Sequence, residues 1–188
     1  GLALSYGMVA YSQGWINFST RATGNPSPPG DVYAPVYMHD PGDPLTRIQG
    51  NTTAGSPSGS QNYGGSPLLG TQFVAELWGG PAGTAEGSLV FVARDTMRAS
   101  APPALQGTVT GLQGTPAVPG VPAGSQASFQ LRVWDTSSGV TSWADVILPA
   151  NNDVLRGYSD VFTVPFGLGS ATITPPNLAG LESFTVNL

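Results

Sequence analysis

The sequence predicts an all-β protein, an antiparallel β-sandwich or jelly roll with an amino-terminal extension strand. Along most of the 188 residues, apolar side chains recur with period two and not with the period of a helix. Turn-forming groups of Gly, Pro, Asn and Ser interrupt this alternation about every 8 to 15 residues. The 26 Gly and 18 Pro also disfavour long helices. Short strands joined by tight turns are typical of sandwiches and jelly rolls.

The predicted strands follow from this alternation in chain order. The first covers residues 2–10, and Gly14 separates it from a second strand at 15–18. A third covers 32–38, where Pro35 favours an edge position because proline cannot donate to a ladder. Residues 50–67 are almost entirely Gly, Ser, Thr, Asn and Pro, bury nothing and predict an exposed surface loop. Further strands are predicted at 71–78, 88–94, 125–134, 158–164 and 181–186, with one short helical turn at 142–148.

Composition and charge predict one folded domain at 14–188, preceded by a strand at 1–13. Hydrophobic residues make up 40% of the chain, which is enough for a core. No charged or low-complexity linker divides the chain cleanly, and two small domains are the alternative. The net charge is −5 and all six basic residues are Arg, so no nucleic-acid partner and no polybasic membrane surface are expected. No apolar run reaches the length of about 18 residues that a membrane span needs.

The balance of residue types predicts export. The chain is acidic, has no Cys and no Lys, and is rich in Gly, Pro, Ser and Thr. Such a balance is typical of an extracellular bacterial protein, either secreted and soluble or secreted and assembled. Without Cys, neither a disulfide framework nor a thiolate metal site is expected. A start at Gly1 without an initiator Met fits either a mature product from which a signal peptide has been removed or an incomplete chain.

Residues for acid–base chemistry near neutral pH are scarce. His39 is the only His, and the sequence has no G-x-S-x-G elbow, phosphate loop or dinucleotide fingerprint. A pair of carboxylates for glycoside hydrolysis stays open, since eleven Asp and Glu are present and can meet in space. Glu76 is expected to face solvent, because it alternates with the apolar Ala75 and Leu77. We therefore expect no enzymatic activity and no cofactor.

A polar cluster at residues 39–44, with Asp31 nearby, is the candidate for a calcium site. Asp31, Asp40 and Asp43 offer carboxylate oxygens, and Ca²⁺ takes about six to eight oxygen ligands. Their spacing lacks the alternating Asp/Asn ladder of calcium loops. A Pro/Gly/Asp turn, in which Asp caps its own backbone, explains the cluster better. The sequence therefore predicts no metal site, and calcium is the alternative.

Two Asn-x-Ser/Thr triplets are candidate glycosylation sites. Asn17 opens one triplet, and Asn51, followed by Thr52 and Thr53, opens the other. Asn51 is the better acceptor because it lies in the predicted loop at 50–67, where Thr and Ser hydroxyls also offer sites for O-linked glycans. Such triplets also arise by chance in a chain rich in Ser and Thr.

The four Trp residues are candidate carbohydrate contacts, because aromatic faces stack on sugar rings. Trp78, beside Gly79 and Gly80, and Trp143, in a predicted loop, are expected to be the most exposed. Packing in the core or at its rim is the favoured alternative for all four.

Four segments carry a resemblance to a known group of proteins. They are QFVAELWGGP at 72–81, FQLRVW at 129–134, RGYS at 156–159 and PPNLAGLESF at 175–184. Across residues 14–188 the chain resembles uncharacterised secreted β-sandwich proteins of Verrucomicrobia and Planctomycetes that usually carry a PEP-CTERM sorting tail. The resemblance implies export and a role at the cell surface or in the matrix, and no established activity. Up to Leu188 the chain departs from this group, since it has no PEP tripeptide, apolar span or basic end, and we expect that a sorting tail was removed or never present.

The amino-terminal strand predicts how the protein assembles. This strand either completes its own domain or leaves it near Gly14 and adds to the sheet of the next subunit. Because such a contact joins two different surfaces, its repetition builds a filament. The sequence thus predicts a secreted structural subunit of an extracellular filament or matrix, whose partners are copies of itself and covalent glycans or extracellular polysaccharide. An extracellular carbohydrate-binding module is the alternative. The apolar residues that alternate on one face of the strand are Leu2, Leu4, Tyr6, Met8 and Ala10.

Overall fold

The computed structural model describes residues 12–25, 27–39, 57, 59 and 63–188. Within these residues the chain forms short and long β-strands, one four-residue α-helix and three 3₁₀ turns, so the all-β fold class is confirmed. The finer arrangement of a sandwich or jelly roll stays a prediction. The strands are β1 (Gln13–Trp15), β2 (Arg21–Ala22), β3 (Val32–Tyr33), β4 (Val36–Met38), β5 (Phe73–Pro81), β6 (Val90–Thr96), β7 (Ala117–Pro122), β8 (Ala127–Asp135), β9 (Arg156–Tyr158), β10 (Phe162–Thr163) and β11 (Phe184–Val186), and the helix is α1 (Trp143–Val146).

The largest sheet has five strands in the order β10–β8–β5–β6, with β9 also paired to β8. Strands β5 and β8 contain nine residues each and pair antiparallel along their whole length, with Leu77 opposite Leu131. These central strands lie close to the predicted ones at 71–78 and 125–134. Their position in the middle of the sheet explains the clear alternation of apolar residues in both sequences.

The other edge of β8 is shared by two short strands, where the sequence predicted one strand at 158–164. Strand β9 pairs with the second half of β8 and β10 with the first half. Between them, Ser159 bonds to Leu131 twice: its N–H donates to the Leu131 carbonyl (2.9 Å) and its Oγ accepts the Leu131 N–H (3.0 Å). The Ser159 side chain thus takes the place of a backbone acceptor and interrupts the ladder.

One face of the five-stranded sheet lies on the main hydrophobic core. Because side chains alternate along a strand, Ala75 and Leu77 of β5 and Leu131 and Val133 of β8 point to this side, and all four are fully buried. Residues of the smaller sheets and of the loops between them pack onto the same cluster. Burial of each leucine-sized side chain contributes about 1.5–3 kcal/mol, so this layer is the main source of stability.

Three two-stranded sheets complete the described part of the fold. β1 pairs with β7 and β2 with β3, both antiparallel, whereas β4 pairs parallel with β11. The sequence predicted antiparallel pairing only, so the parallel pair of β4 and β11 was not expected. Strand β7 was not predicted, because Pro119 and Gly120 are typical of turns. The predicted strand at 32–38 is divided into β3 and β4 by Ala34 and Pro35, which lie outside both ladders.

The folded domain includes Ser12 and Gln13, which moves the boundary that the sequence predicted after residue 13. Gln13 pairs with β7, and the Ser12 carbonyl accepts a backbone hydrogen bond from the residue that follows β7 (3.1 Å). Gly14, the predicted pivot, is buried within β1, and a Cβ at this position would lie 2.4 Å from the Leu168 Cβ. Gly14 is therefore a close-packing position and not a pivot. The apolar residues at 2–10 lie outside the described residues.

The end of the predicted loop at 50–67 packs against the domain. Tyr63 stacks on Tyr37 with ring centroids 4.3 Å apart, and its hydroxyl donates to the Ser183 carbonyl (2.9 Å). Pro67 forms a β-bridge with Tyr37. The expectation that this segment buries nothing is therefore wrong for its last residues. Apart from positions 57 and 59, residues 50–62 lie outside the part that the structure describes.

Candidate functional site

The second face of the five-stranded sheet carries charged and aromatic side chains in rows. Strand register aligns Arg94 of β6, Glu76 of β5, Arg132 of β8 and Tyr158 of β9 side by side. These residues point away from the main core because they alternate with apolar neighbours along their strands. We call this surface, which also includes Trp78, the polar face.

Glu76 is the anionic centre of the polar face. Its carboxylate accepts hydrogen bonds from the Trp78 indole Nε1 (2.9 Å) and from Arg94 Nε (3.0 Å) and Nη2 (2.5 Å). Glu76 is 3% exposed, so the prediction that it faces solvent is wrong. Alternation determines the face on which Glu76 lies, whereas its burial depends on Trp78 and Arg94 folding over the carboxylate.

Arg132 lies beside Glu76 in the row, but it forms no ion pair with any described residue. Its guanidinium carbon is 4.2 Å from the centroid of the Trp78 ring and 5.5 Å from that of Trp143. Arg132 is 8% exposed. Its Nε donates to Gln130, and the two Nη groups donate to no acceptor among the described residues. Arg132 is therefore a stacked, nearly buried cation with free donors.

Gln130 fixes the orientation of this guanidinium. Its Oε1 accepts the bond from Arg132 Nε (2.8 Å), and its Nε2 donates to Glu86 Oε1 (2.9 Å) and to the Ser159 carbonyl (3.1 Å). Burial lowers the pKa of Arg132 below its ordinary value, and the carboxylates of Glu86 and Glu76 oppose that shift. The guanidinium is thus held at Nε, while its Nη groups donate to no described residue.

Helix α1 brings Trp143 onto the polar face. Ser142 caps the helix, since its Oγ accepts the N–H of Asp145 (3.2 Å). Trp143 packs edge-on against Tyr158, with centroids 6.0 Å apart, and at a tilt against Trp134, with centroids 5.9 Å apart. It is 8% exposed, so the expectation of an exposed loop residue is wrong, while the predicted short helical turn is confirmed.

A groove with a volume of ≈ 470 Å³ lies on the polar face, and we call it the aromatic groove. The structure thus brings together Trp78 and Trp143, the two tryptophans selected as carbohydrate contacts. Arg132 covers one face of the Trp78 ring and Trp143 is nearly buried, so neither is a free flat platform. The Arg132 guanidinium lies between the Trp78 and Trp143 rings. The groove is lined by Trp78, Glu86, Gly87, Leu89, Arg132, Trp143, Ile147 and Tyr158.

The lining of the aromatic groove combines aromatic and apolar side chains with one cation and one carboxylate. Among its lining residues Glu86 is the single carboxylate, and Glu76 lies outside the lining and is held by Arg94 and Trp78. The carboxylate pair of a glycoside hydrolase is therefore not assembled in this groove from the described residues. In the same part of the chain, no group of three or more His, Cys, Asp or Glu side chains is placed to hold a metal ion.

Two other candidate residues already have hydrogen-bond partners. Asn17 Nδ2 donates to Asn177 Oδ1 (2.6 Å), so a glycan on Asn17 would break this bond. Asp31 Oδ1 accepts the N–H of Asn25 (2.7 Å), and the predicted turn at residues 39–44 lies outside the described residues except for His39. The remaining candidates lie outside the described residues: Asp40 and Asp43 for calcium, Asn51, Thr52 and Thr53 for glycosylation, and Leu2, Leu4, Tyr6, Met8 and Ala10 for the intersubunit strand.

Sequence reasoning missed Gln130 and Arg132 as site residues. The signal was present in the predicted strand at 125–134, where both share one face with Trp134 while apolar residues occupy the other. A central strand with charged, amide and aromatic side chains on one face indicates a buried polar layer or a site. The partners across the sheet, however, depend on a register that the sequence alone does not supply.

No protein-family model, curated protein or solved structure matches the chain. The resemblance to secreted PEP-CTERM proteins therefore stays a prediction from the sequence. Within the described ranges, no helix has the length and apolar character that crossing a membrane requires.

Proposed function

We propose that the protein is a secreted structural subunit of an extracellular filament or matrix, assembled when the strand at residues 2–10 adds to a neighbouring copy. The observation that supports this proposal is the open edge of β6. Strand β6 pairs with β5 on one side, and from Val90 to Arg94 no described residue bonds to its other side. Val90 and Phe91 are 45% and 46% exposed on this edge.

An apolar edge of this kind favours a partner strand. Its unpaired N–H and C=O groups are a template for pairing, and natural proteins protect such edges with Lys, Pro, bulges or a cover. Strand β6 contains neither Lys nor Pro, and its cation Arg94 is held by Glu76. The pairing of β6 with β5 has one irregularity, a register shift between Leu77 and Trp78. A donated strand would cover the edge and satisfy its backbone groups.

The free energies of burial and of chain ordering indicate why strand addition needs a preformed acceptor edge. Five buried apolar side chains contribute about 1.5–3 kcal/mol each. Ordering about ten residues costs about 1–2 kcal/mol each, which nearly cancels that gain. Strand addition therefore requires an acceptor that is already folded and supplies a ladder of hydrogen bonds. The edge of β6 belongs to the largest sheet of the described residues, and this supports its choice as the acceptor.

Removal of residues 1–11 tests the proposal and leaves in place Ser12, whose carbonyl accepts a hydrogen bond from the Ala123 N–H. We expect regular fibres of the full chain in electron micrographs and a folded monomer after truncation, with circular dichroism as the check on folding. A synthetic peptide of residues 1–11 should bind the truncated chain. If the truncated chain forms the same fibres, or the full chain stays monomeric, the filament proposal is wrong.

A second function, binding of extracellular carbohydrate, is favoured by the aromatic groove. Trp78 and Trp143 line it together with Tyr158 and apolar side chains. We expect polysaccharide to change tryptophan fluorescence, and Trp78→Phe to reduce both the signal and the affinity. Trp15→Phe is the matched control, because Trp15 lies in β1, outside the groove. Equal effects of the two substitutions would remove the groove from the binding site.

A further inference from the structure

We infer that the aromatic groove binds the carboxylate of an acidic sugar and that the Arg132 guanidinium receives it. The inference rests on the carbohydrate-binding function proposed above and names its substrate class, polysaccharides that contain uronic acid.

The first argument is the charge on the polar face. Glu76 lies between Arg94 and Arg132 in the row, but its carboxylate is bonded to Arg94 and to the Trp78 indole. Arg132 is nine-tenths buried and forms no ion pair with a described residue. Glu76 and Glu86 lie close by, but neither bonds to the Nη groups of Arg132, so a ligand carboxylate would supply charge-assisted hydrogen bonds that these donors lack among the described residues. Glu86, the other carboxylate close by, is exposed and bonds to Gln130.

The second argument is the geometry of the guanidinium. Arg132 is stacked over Trp78 and faces Trp143, and its Nε is tied to Gln130. A planar guanidinium fixed in this way presents its Nη groups as a fork that matches the two oxygens of a carboxylate. Since its position is already fixed, little side-chain entropy is lost on binding.

The third argument concerns the rest of the ligand. Glu86 is an acceptor on the lining of the groove and favours hydroxyl donors of the ligand. Leu89 and Ile147 supply apolar surface for the C–H face of a ring. A ligand with one carboxylate, several hydroxyls and an apolar ring face is a uronic acid. An acidic peptide lacks the last two features.

The ligand side of the test compares polygalacturonate with its fully methyl-esterified form, which keeps the sugar ring and loses the charge. Titration calorimetry of the full chain should show an affinity about tenfold to a hundredfold higher for the acid form. Equal affinities would overturn the role of Arg132 and leave carbohydrate binding standing. Absence of binding to both forms would overturn both. Poly-glutamate that binds as tightly as polygalacturonate would overturn the assignment to sugar.

The protein side compares Arg132→Lys with Arg21→Lys. Arg21 also lies over an aromatic ring, at 5.8 Å from the centroid of Tyr33, but it is outside the groove. We expect the Arg132 variant to lose the preference for the acid form and the Arg21 variant to keep it. Lysine keeps the charge but not the fork or the stacking. A preference that survives Arg132→Lys would contradict the inference.

A measurement on the unsubstituted protein tests the inference even if the Arg132→Lys variant does not fold. In proton–nitrogen NMR spectra, polygalacturonate should shift the indole N–H signals of Trp78 and Trp143 and leave that of Trp15 in place. Binding without a shift of the two groove signals would place the sugar elsewhere and overturn the inference.

Discussion

At the scale of single residues, Glu76 holds the polar face together. Its carboxylate is bonded to Arg94 and to the Trp78 indole and is nearly inaccessible to solvent. We expect Glu76→Gln to lower the free energy of unfolding by about 1–3 kcal/mol, because charge-assisted hydrogen bonds are replaced by weaker ones. Urea unfolding followed by circular dichroism measures the change. Glu182→Gln removes the same charge from an exposed position and is the control. Equal losses for the two variants would contradict this role.

Gly14 provides a second test at this scale. A Cβ at position 14 would lie 2.4 Å from the Leu168 Cβ, whereas one at Gly87 meets nothing within 4 Å. Gly14→Ala should therefore destabilise the domain by about 1–3 kcal/mol, the usual cost of overpacking. Gly87→Ala should change stability little. Thermal unfolding of both variants compares the two positions. A pivot at Gly14 would instead tolerate the alanine, and an unchanged midpoint would support it.

The wrong predictions of solvent exposure for Glu76 and Trp143 show that alternation along a strand does not by itself predict burial. Alternation assigned Glu76 to the correct side of its strand, but burial of that side depends on Trp78 of the same strand and on Arg94 and α1, which lie on other elements. Trp143 looked like a loop residue because α1 is one turn long. Arg132 shares one face of its predicted strand with Gln130 and Trp134, but its role depends on neighbours across the sheet, and the sequence alone does not give their register.

At the scale of elements, the central strands were predictable and the short ones were not. Strands β5 and β8 carry apolar side chains toward the main core and charged, amide or indole side chains on the other face, so their sequences alternate clearly. Strand β7 contains Pro119, Gly120 and Pro122, which are turn residues by composition, and it exists because β1 pairs with it. The predicted strand at 158–164 is divided into β9 and β10 because the Ser159 side chain, instead of a backbone carbonyl, accepts the Leu131 N–H.

At the scale of elements, Tyr63, in the segment that ends at Pro67, predicts how stability depends on pH. Burial, with smaller contributions from Tyr37 and Glu182, raises the pKa of Tyr63 above its usual range. Above about pH 10 the tyrosines of the unfolded chain lose protons, while the folded state keeps the Tyr63 proton. The folded state then binds more protons than the unfolded state, so stability decreases as pH rises through this window.

Tyr63→Phe tests this dependence. The variant loses the bond to the Ser183 carbonyl, so we expect it to be less stable at pH 8 by about 0.5–1.5 kcal/mol. Between pH 8 and pH 10.5 it should lose less stability than the unsubstituted chain. Urea midpoints at the two pH values give the comparison. An equal loss in both proteins would contradict the raised pKa of Tyr63.

At the scale of the whole molecule, the open edge of β6 is the feature that connects the fold to assembly. Val90→Lys places a charge on this edge, and charged side chains block the pairing of edge strands. We expect this variant to fold and to form no fibres. Ile173→Lys changes a similarly exposed residue away from the sheet, and should leave fibres intact. Electron microscopy and sedimentation compare the two. Fibres formed equally well by the Val90 variant would exclude β6 as the acceptor.

Chemical crosslinking between defined positions tests the central claim most directly, because the chain has no Cys of its own. One preparation carries Val90→Cys, and the others carry Leu4→Cys, Tyr6→Cys or Met8→Cys, which together sample the register of the donated strand. After mixing and mild oxidation, at least one pairing should give a disulfide-linked heterodimer on a non-reducing gel. A chain with both substitutions should give a ladder of multimers. If every mixed pairing stays monomeric and the doubly substituted chain closes only on itself, the strand belongs to its own domain and donation between subunits is wrong.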